Sequence, residues 1–331
     1  MVTPDIEKVP LAKNSKTRYA LSLKHLLGEC VGHEHMSSLK RKTIRAGTQY
    51  LAMENCLLEI AELHGAESAR QARSVLSGYV LKSLQRNHLV VGNILRGERI
   101  DLKSNAIVRE SGKQGGVALN RDEYNAVVEY LLAIDPAEGV EKPKRGRWTL
   151  EDAIAKRRNA IDITLLQAGT GLRISEARQA WCGLLVDSGD GLHIEVVREI
   201  TKGGYERVAH VLDQRVVERL RDRLAHAQSS SDLIVGSPFD AAKVWDLRNC
   251  SKVLEGLYLE MADTLKIEAF KAERSHIWRA TLNTMLIDVV PHAMRAAQFG
   301  HTEKVNMKSY TDKALTSEMV AASRQALVAY R

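Results

Sequence analysis

Apolar residues recur at helical spacing along most of this chain. The repeat predicts helices over about residues 16–29, 39–64, 66–85, 87–99, 119–134, 149–167, 214–227, 241–262 and 315–330. Between residues 193 and 211 the period changes to two, which indicates a strand over 193–200, a glycine turn and a return strand over 207–211. The pattern therefore predicts a mainly α protein with a small antiparallel β-sheet.

A polar stretch over residues 101–117 with two adjacent glycines interrupts the helical repeat. We expect an all-α domain over 14–110, a linker over 111–117 and an α+β domain over 118–331 that ends in the helix at 315–330. Residues 1–13 are expected to form a flexible lead. A chain of 331 residues suits two cores better than one.

The composition favours a soluble protein of a reducing compartment. No apolar run approaches the ~20 residues that span a bilayer, and the first 20 residues lack the apolar core of a signal peptide. We therefore expect a cytoplasmic protein with no membrane partner. The cysteines are far apart in sequence and are expected to be reduced thiols: Cys30, Cys56, Cys182 and Cys250. The sequence His33-Glu34-His35 is expected to be a solvated loop and not a metal site.

The net charge of +7 is unevenly distributed. Residues 1–113 carry 18 lysines and arginines against 11 aspartates and glutamates, so this part accounts for the whole excess. A basic N-terminal part favours a polyanionic partner, most often nucleic acid, although solubility alone also explains +7. The candidate DNA-binding residues lie at the start of the second predicted helix and outside the apolar stripe of the third: Lys40, Arg41, Lys42, Arg45, Arg70, Arg73 and Lys82. A solvated helix start with no partner is the alternative.

Candidate chemistry is concentrated in residues 275–311. His276 and Arg279 are three residues apart and share a helix face. A base or acid beside a fixed cation suits a transferring phosphoryl group. Gly300-His301 follows, and Tyr310, nine residues later, is a candidate nucleophile.

A second cationic site precedes the predicted strands. In residues 168–176 two glycines make a turn, Arg173 follows it and Glu176 lies in the next helix. A turn that fixes an arginine makes a good phosphate clamp. The alternative is a surface cap in which Arg173 pairs with Glu176. Lys202 is expected at the tip of the hairpin, where a lysine is solvated unless a partner covers it.

These residues together resemble the tyrosine recombinases, or phage-type integrases. The resemblance rests on the segments Thr170-Gly171-Leu172-Arg173-Ile174-Ser175-Glu176, Thr201-Lys202, His276-Ile277-Trp278-Arg279, Gly300-His301 and Tyr310. Six family positions in family order form a specific pattern. Departures occur at Ala280, at Phe299 and at Ala209-His210, where the family usually has a histidine, a leucine and a proline-containing strand.

The resemblance implies an α+β catalytic domain with a small sheet, preceded by an all-α DNA-binding domain. Tyr310 would attack a scissile DNA phosphate to give a 3′-phosphotyrosyl link and a free 5′-hydroxyl. Arg173 and Arg279 would hold the non-bridging oxygens, and Lys202 would protonate the leaving 5′-oxygen.

The same resemblance assigns the remaining site residues. His276 would accept or relay the tyrosine proton, His301 would hydrogen-bond the phosphate, and Glu176 would support a neighbouring side chain. Neither a metal nor any other cofactor is implied, because the covalent bond stores the energy of the phosphodiester. The implied partners are double-stranded DNA with paired sites and a homotetramer on that DNA. The need for an accessory DNA-bending or directionality protein stays open. A nucleoid-associated location follows.

Two other functions remain open. A type IB-like topoisomerase would use the same chemistry as a monomer, and an architectural DNA-binding protein would use none of it. Tyr205, Tyr258 and Tyr330 are competing nucleophiles, but none has the nine-residue interval after His301.

Overall fold

The computed structural model describes residues 13–31, 46–104, 106–107, 117–143, 148–188, 191–201, 204, 206–272 and 275–300. The chain divides into two compact units, Met1–Ser111 and Gly112–Arg331. Each unit has its own apolar core.

The described part of the first unit is all helical apart from its turns. Its helices are Lys13–Val31, Tyr50–His64, Ala66–Val75 and Leu81–Arg86, with a π-helical turn at Leu76–Val80 between the last two. The first three helices pack on one another around Leu57 and Ile60, which are fully buried. The helix Tyr50–His64 ends at Gly65, whose φ of +88° suits glycine.

Three expectations for this unit are corrected. The helix predicted over 39–64 is interrupted at residues 48–49 and resumes at Tyr50, because Gln49 is extended (ψ 147°) after a turn in which its N–H bonds to the Ala46 carbonyl. Its predicted first residues, 39–45, lie outside the described residues. Residues 87–99 form turns and bends and no helix. Cys56 is disulfide-bonded, so the expectation of a reduced thiol there is wrong, whereas Cys182 and Cys250 are free and buried.

The second unit contains the larger core. Among its described residues the helices are Arg121–Ala133, Leu150–Thr170, Ile174–Ala177, Gln214–Ala225, Leu247–Leu265, Ala269–Ala272, Ile277–Met285 and His292–Phe299. Capping boxes start the first two, since Asn120 pairs with Glu123 and Thr149 pairs with Asp152.

The helix Leu150–Thr170, called here the central helix, organises this unit. Every residue from Asn159 to Thr170 is buried, and the helices Ile277–Met285 and Leu247–Leu265 both pack on it. A helix that is buried on all sides must satisfy its polar side chains internally. Asn159 donates to the Gly236 carbonyl, and Gln167 donates to the Leu172 carbonyl.

A three-stranded antiparallel sheet in the order β1-β2-β3 lies beside the central helix, with β1 at Leu185–Asp187, β2 at Leu192–Val196 and β3 at Arg207–His210. Ile194 of β2 pairs with Leu185 of β1 and with Ala209 of β3, and all three side chains are buried. The hairpin from β2 to β3 was predicted, but β1 was not. Residues 198–200 form a 3₁₀ turn and do not continue the strand.

The predicted fold class is confirmed: a mainly α protein with a small antiparallel sheet in its second unit. Among the described helices, none has the length and apolar character that crossing a membrane requires.

Candidate active site

The turn that carries Arg173 begins where the central helix ends. Gly171 terminates that helix in the left-handed conformation, at φ +70°. A Cβ atom there would lie 2.6 Å from the Phe299 ring, so glycine is required both by the backbone and by the close approach of a buried aromatic. The turn fixes Arg173 at the start of the short helix Ile174–Ala177.

Glu176 is the centre of the site. Its side chain is fully buried and accepts hydrogen bonds from the backbone N–H of Arg173 (2.9 Å) and from the Arg173 guanidinium (2.8 Å). Arg279 donates to the same carboxylate at 3.3 Å, and Arg207 donates to it at 2.6 Å and 3.3 Å. Three guanidinium groups therefore converge on one carboxylate, which leaves the cluster with a net charge of +2.

The arginines keep this buried carboxylate ionised. Burial by itself raises the pKa of Glu176, but the hydrogen bond and charge of Arg207, the charge of Arg279 and the N–H of Arg173 together outweigh burial and lower the pKa to about 2. Glu176 therefore carries its charge throughout the physiological range. The Arg173–Glu176 pair that the cap alternative predicted is present at the start of the helix Ile174–Ala177, but it is not a surface pair, because the carboxylate is fully buried. The supporting role predicted for Glu176 is compatible with these contacts.

Arg279 comes from the helix Ile277–Met285, which packs on the central helix. Its side chain is only 6% exposed, and its Nε donates to the Gly171 carbonyl at 2.8 Å across 108 residues of sequence. Trp278 anchors this helix, since its ring is fully buried and its Nε1 donates to the Tyr258 hydroxyl. His276 precedes the first turn and is exposed. The fold thus brings Arg173, Glu176 and Arg279 together, with His276 one turn from Arg279.

Arg207 is the residue of this cluster that the sequence interpretation missed. Its side chain is 7% exposed, and its Nε donates to the Gln298 carbonyl at 3.2 Å. The Gln298 side chain also joins the end of the helix His292–Phe299 to β3 and to the end of the central helix. It bonds to the backbone N–H and carbonyl of His210 and donates to the Thr170 carbonyl. The alternation of side chains along the predicted strand could have indicated this residue, because it places Arg207 on the same face as buried Ala209.

The other predicted catalytic residues, Lys202, His301 and Tyr310, lie outside the described residues, as do the DNA-binding candidates Lys40, Arg41, Lys42 and Arg45 and the helix predicted at 315–330. Arg70 and Lys82 are exposed, and Arg70 pairs with Glu67. The Arg73 guanidinium donates to the carbonyls of Leu95 and Glu98.

Tyr258 is not available as a nucleophile. It is 1% exposed, packs edge-on against Phe270 and Trp278, and burial raises the pKa of its hydroxyl. The other two competing tyrosines, Tyr205 and Tyr330, lie outside the described residues. Within the part of the chain that the structure describes, no group of three or more His, Cys, Asp or Glu side chains could hold a metal ion.

No family model and no curated protein matches the sequence. Solved structures do match over nearly the whole chain. A lambda integrase fragment, crystallised as a dimer on a COC′ core site, aligns with a TM-score of 0.60 at 14% identity over 95% of this chain and 94% of the other. A fragment of the Tn1549 transposon integrase that carries one substitution, in complex with a circular intermediate DNA, aligns with a TM-score of 0.60 at 12% identity over 98% of this chain and 99% of the fragment. The XerH site-specific recombinase, bound to a palindromic difH substrate, aligns at 0.60 and 13% identity over 97% and 84%. The chain therefore has the tyrosine recombinase fold, as the sequence resemblance implied.

Proposed function

We propose that this protein, which has the tyrosine recombinase fold, is a site-specific DNA recombinase that cuts and rejoins strands through a 3′-phosphotyrosyl intermediate. The observation that carries the proposal is the convergence of Arg173 and Arg279 on buried Glu176. The two guanidinium groups come from separate segments and are held by one carboxylate. Cationic donors that are fixed before the reaction stabilise the charge that develops on a phosphate in its transition state.

The proposed cleavage step transfers a phosphoryl group without any redox change. The Tyr310 oxygen attacks the scissile phosphorus, the bond from phosphorus to the 5′-oxygen breaks, and Lys202 gives that oxygen a proton. His276 takes the tyrosine proton, and His301 donates a hydrogen bond to a phosphate oxygen. Attack by a 5′-hydroxyl from another strand reverses the step, which completes strand exchange.

The assembly belongs to the same proposal. The basic helical unit Met1–Ser111 would hold double-stranded DNA through phosphate contacts from Lys40, Arg41, Lys42, Arg45, Arg70, Arg73 and Lys82. Two paired sites would assemble a homotetramer through the helix predicted at 315–330, with an accessory bending or directionality protein. The neighbours support this assembly by analogy, since one structure is a lambda integrase tetramer bound to a Holliday junction. The Tn1549 neighbour supports a mobile-element role, namely integration, excision or resolution.

A trapping experiment tests the reaction class and selects the target sequence at the same time. Purified protein is mixed with a pool of randomised duplexes that carry a nick close to the cleavage position, so that the short 5′-hydroxyl fragment diffuses away. Adducts that survive SDS are then recovered and sequenced. We expect wild type to give adducts on a shared sequence and Tyr310→Phe to give none.

Three other outcomes would each change the proposal. Adducts that persist in Tyr310→Phe would move the nucleophile to another residue. DNA binding without any adduct would favour an architectural protein. Relaxation of supercoiled plasmid without recombination between two copies of the selected sequence would favour the topoisomerase.

A further inference from the structure

We infer that Arg207 is a positioning residue for this reaction, one that acts through Glu176 to hold the two phosphate-binding arginines. The inference rests on the proposed function. Arg207 lies at the start of β3, directly after the hairpin that carries Lys202 in sequence, and no part of the six-residue pattern includes it.

The contacts of Arg207 explain why it would act on the others. Two of its guanidinium nitrogens reach both oxygens of Glu176, and the third reaches the Gln298 carbonyl near the end of the helix His292–Phe299. One side chain thereby joins β3, the Arg173 turn and the helix that leads to His301. A guanidinium can make this forked contact, whereas a lysine ammonium is a point charge and cannot.

The backbone around Arg207 is shaped to admit it. Gly300 ends the helix His292–Phe299 in the left-handed conformation at φ +60°, and a Cβ atom there would lie 3.1 Å from Cδ and from one Nη of Arg207. A side chain in place of the glycine before His301 would therefore crowd Arg207 and strain its own φ angle.

The positive charge of Arg207 influences the site through the pKa of Glu176. Arg207 supplies the strongest interaction that opposes the effect of burial on Glu176. Without it, the pKa of Glu176 rises, and protonation at acid pH weakens the hold of the carboxylate on Arg173 and Arg279. The arginines would then lose the fixed geometry that phosphoryl transfer needs.

The test measures single-turnover cleavage of the nicked duplex selected by wild type, at saturating and at sub-saturating DNA. We expect Arg207→Met to slow cleavage at saturating DNA about 100-fold, the usual result of a misplaced reacting group, while the Kd for the duplex changes little. Arg207→Lys, which keeps the charge but loses the fork, should recover part of the rate. Arg207→Lys also keeps the test decisive if Arg207→Met does not fold.

The pH profile separates positioning from general stability. Arg207→Met should lose activity towards acid pH more steeply than wild type, because Glu176 becomes protonated. The double variant Glu176→Gln/Arg207→Met should lack this additional loss and keep only the acid dependence of wild type. The double variant should also lose less activity than the two single variants combined, because both act on one contact.

Arg223→Met is the matched control, since Arg223 also pairs with a buried carboxylate, that of Asp162, in a separate network. It should lower the Tm and leave the cleavage rate of the folded enzyme unchanged.

Two results would overturn the inference. One is an Arg207→Met or Arg207→Lys enzyme that is folded and cleaves at the wild-type rate. The other is a double variant whose loss equals the product of the two single losses, together with an Arg207→Met activity that falls no more steeply in acid than that of wild type. Absence of any adduct with wild type would overturn the proposed function and this inference with it. Adducts from wild type with normal cleavage by the Arg207 variants would overturn the inference alone.

Discussion

Replacing Glu176 by Gln should destabilise the second unit by an amount that the structure sets. Glutamine has the shape of the protonated carboxyl, so the variant reports what the negative charge contributes. Each unit of pKa difference corresponds to about 1.4 kcal/mol. A carboxyl with its pKa lowered from 4.5 to about 2 therefore stabilises the fold by roughly 3 kcal/mol at neutral pH. For a unit of this size the Tm should fall by roughly 6–12 °C.

The sign of the pH dependence follows from the lowered pKa. The stabilisation is fully present above the unfolded pKa of 4.5 and is lost as the pH falls towards the folded pKa of about 2. The difference in unfolding free energy between wild type and Glu176→Gln should therefore be constant from pH 8 to about pH 5 and should narrow below that. Urea denaturation followed by circular dichroism at a series of pH values measures it.

A control variant and a second readout make this prediction specific. Asp162→Asn removes another buried carboxylate, which pairs with Arg219 and Arg223 and is 2% exposed. It should also destabilise the unit, but the folded enzyme should cleave DNA normally, whereas Glu176→Gln should slow cleavage because Arg173 and Arg279 lose their shared anchor. A Glu176→Gln protein within about 1 kcal/mol of wild type at pH 7, or a difference that does not narrow in acid, would falsify the account, since it requires a strongly lowered pKa.

Two further predictions follow from contacts around the site. Gly171→Ala should lower the Tm, because alanine at φ +70° costs about 1–2 kcal/mol and its Cβ meets the Phe299 ring. Differential scanning calorimetry measures the loss, and adding Phe299→Leu to the same chain should restore part of the Tm. Tyr258→Phe should lower the free energy of unfolding by about 1–3 kcal/mol, because the buried Trp278 Nε1 loses its acceptor. The SDS-resistant adduct should persist in this variant. Loss of the adduct from a folded variant would mean that Tyr258 takes part in the reaction.

Local sequence patterns predicted much of the fold. The helical repeat and the capping residues located the helices Arg121–Ala133 and Leu150–Thr170 to within about three residues, since capping and amphipathic spacing act within a single turn. The change to a period of two identified β2 and β3. The same patterns were wrong for residues 87–99, where apolar spacing over a short segment did not amount to a helix.

In the candidate site too, some features could be predicted from the sequence and others depend on the tertiary structure. The order and spacing of Arg173, His276 and Arg279 could be interpreted without coordinates, because the chemistry needs those residue types. The burial of Glu176, the entry of Arg207 into its network and the exclusion of Tyr258 could not. Each depends on segments distant in sequence that meet only when the core assembles. Burial and charge pairing are properties of that assembled core, and one sequence position does not encode them by itself.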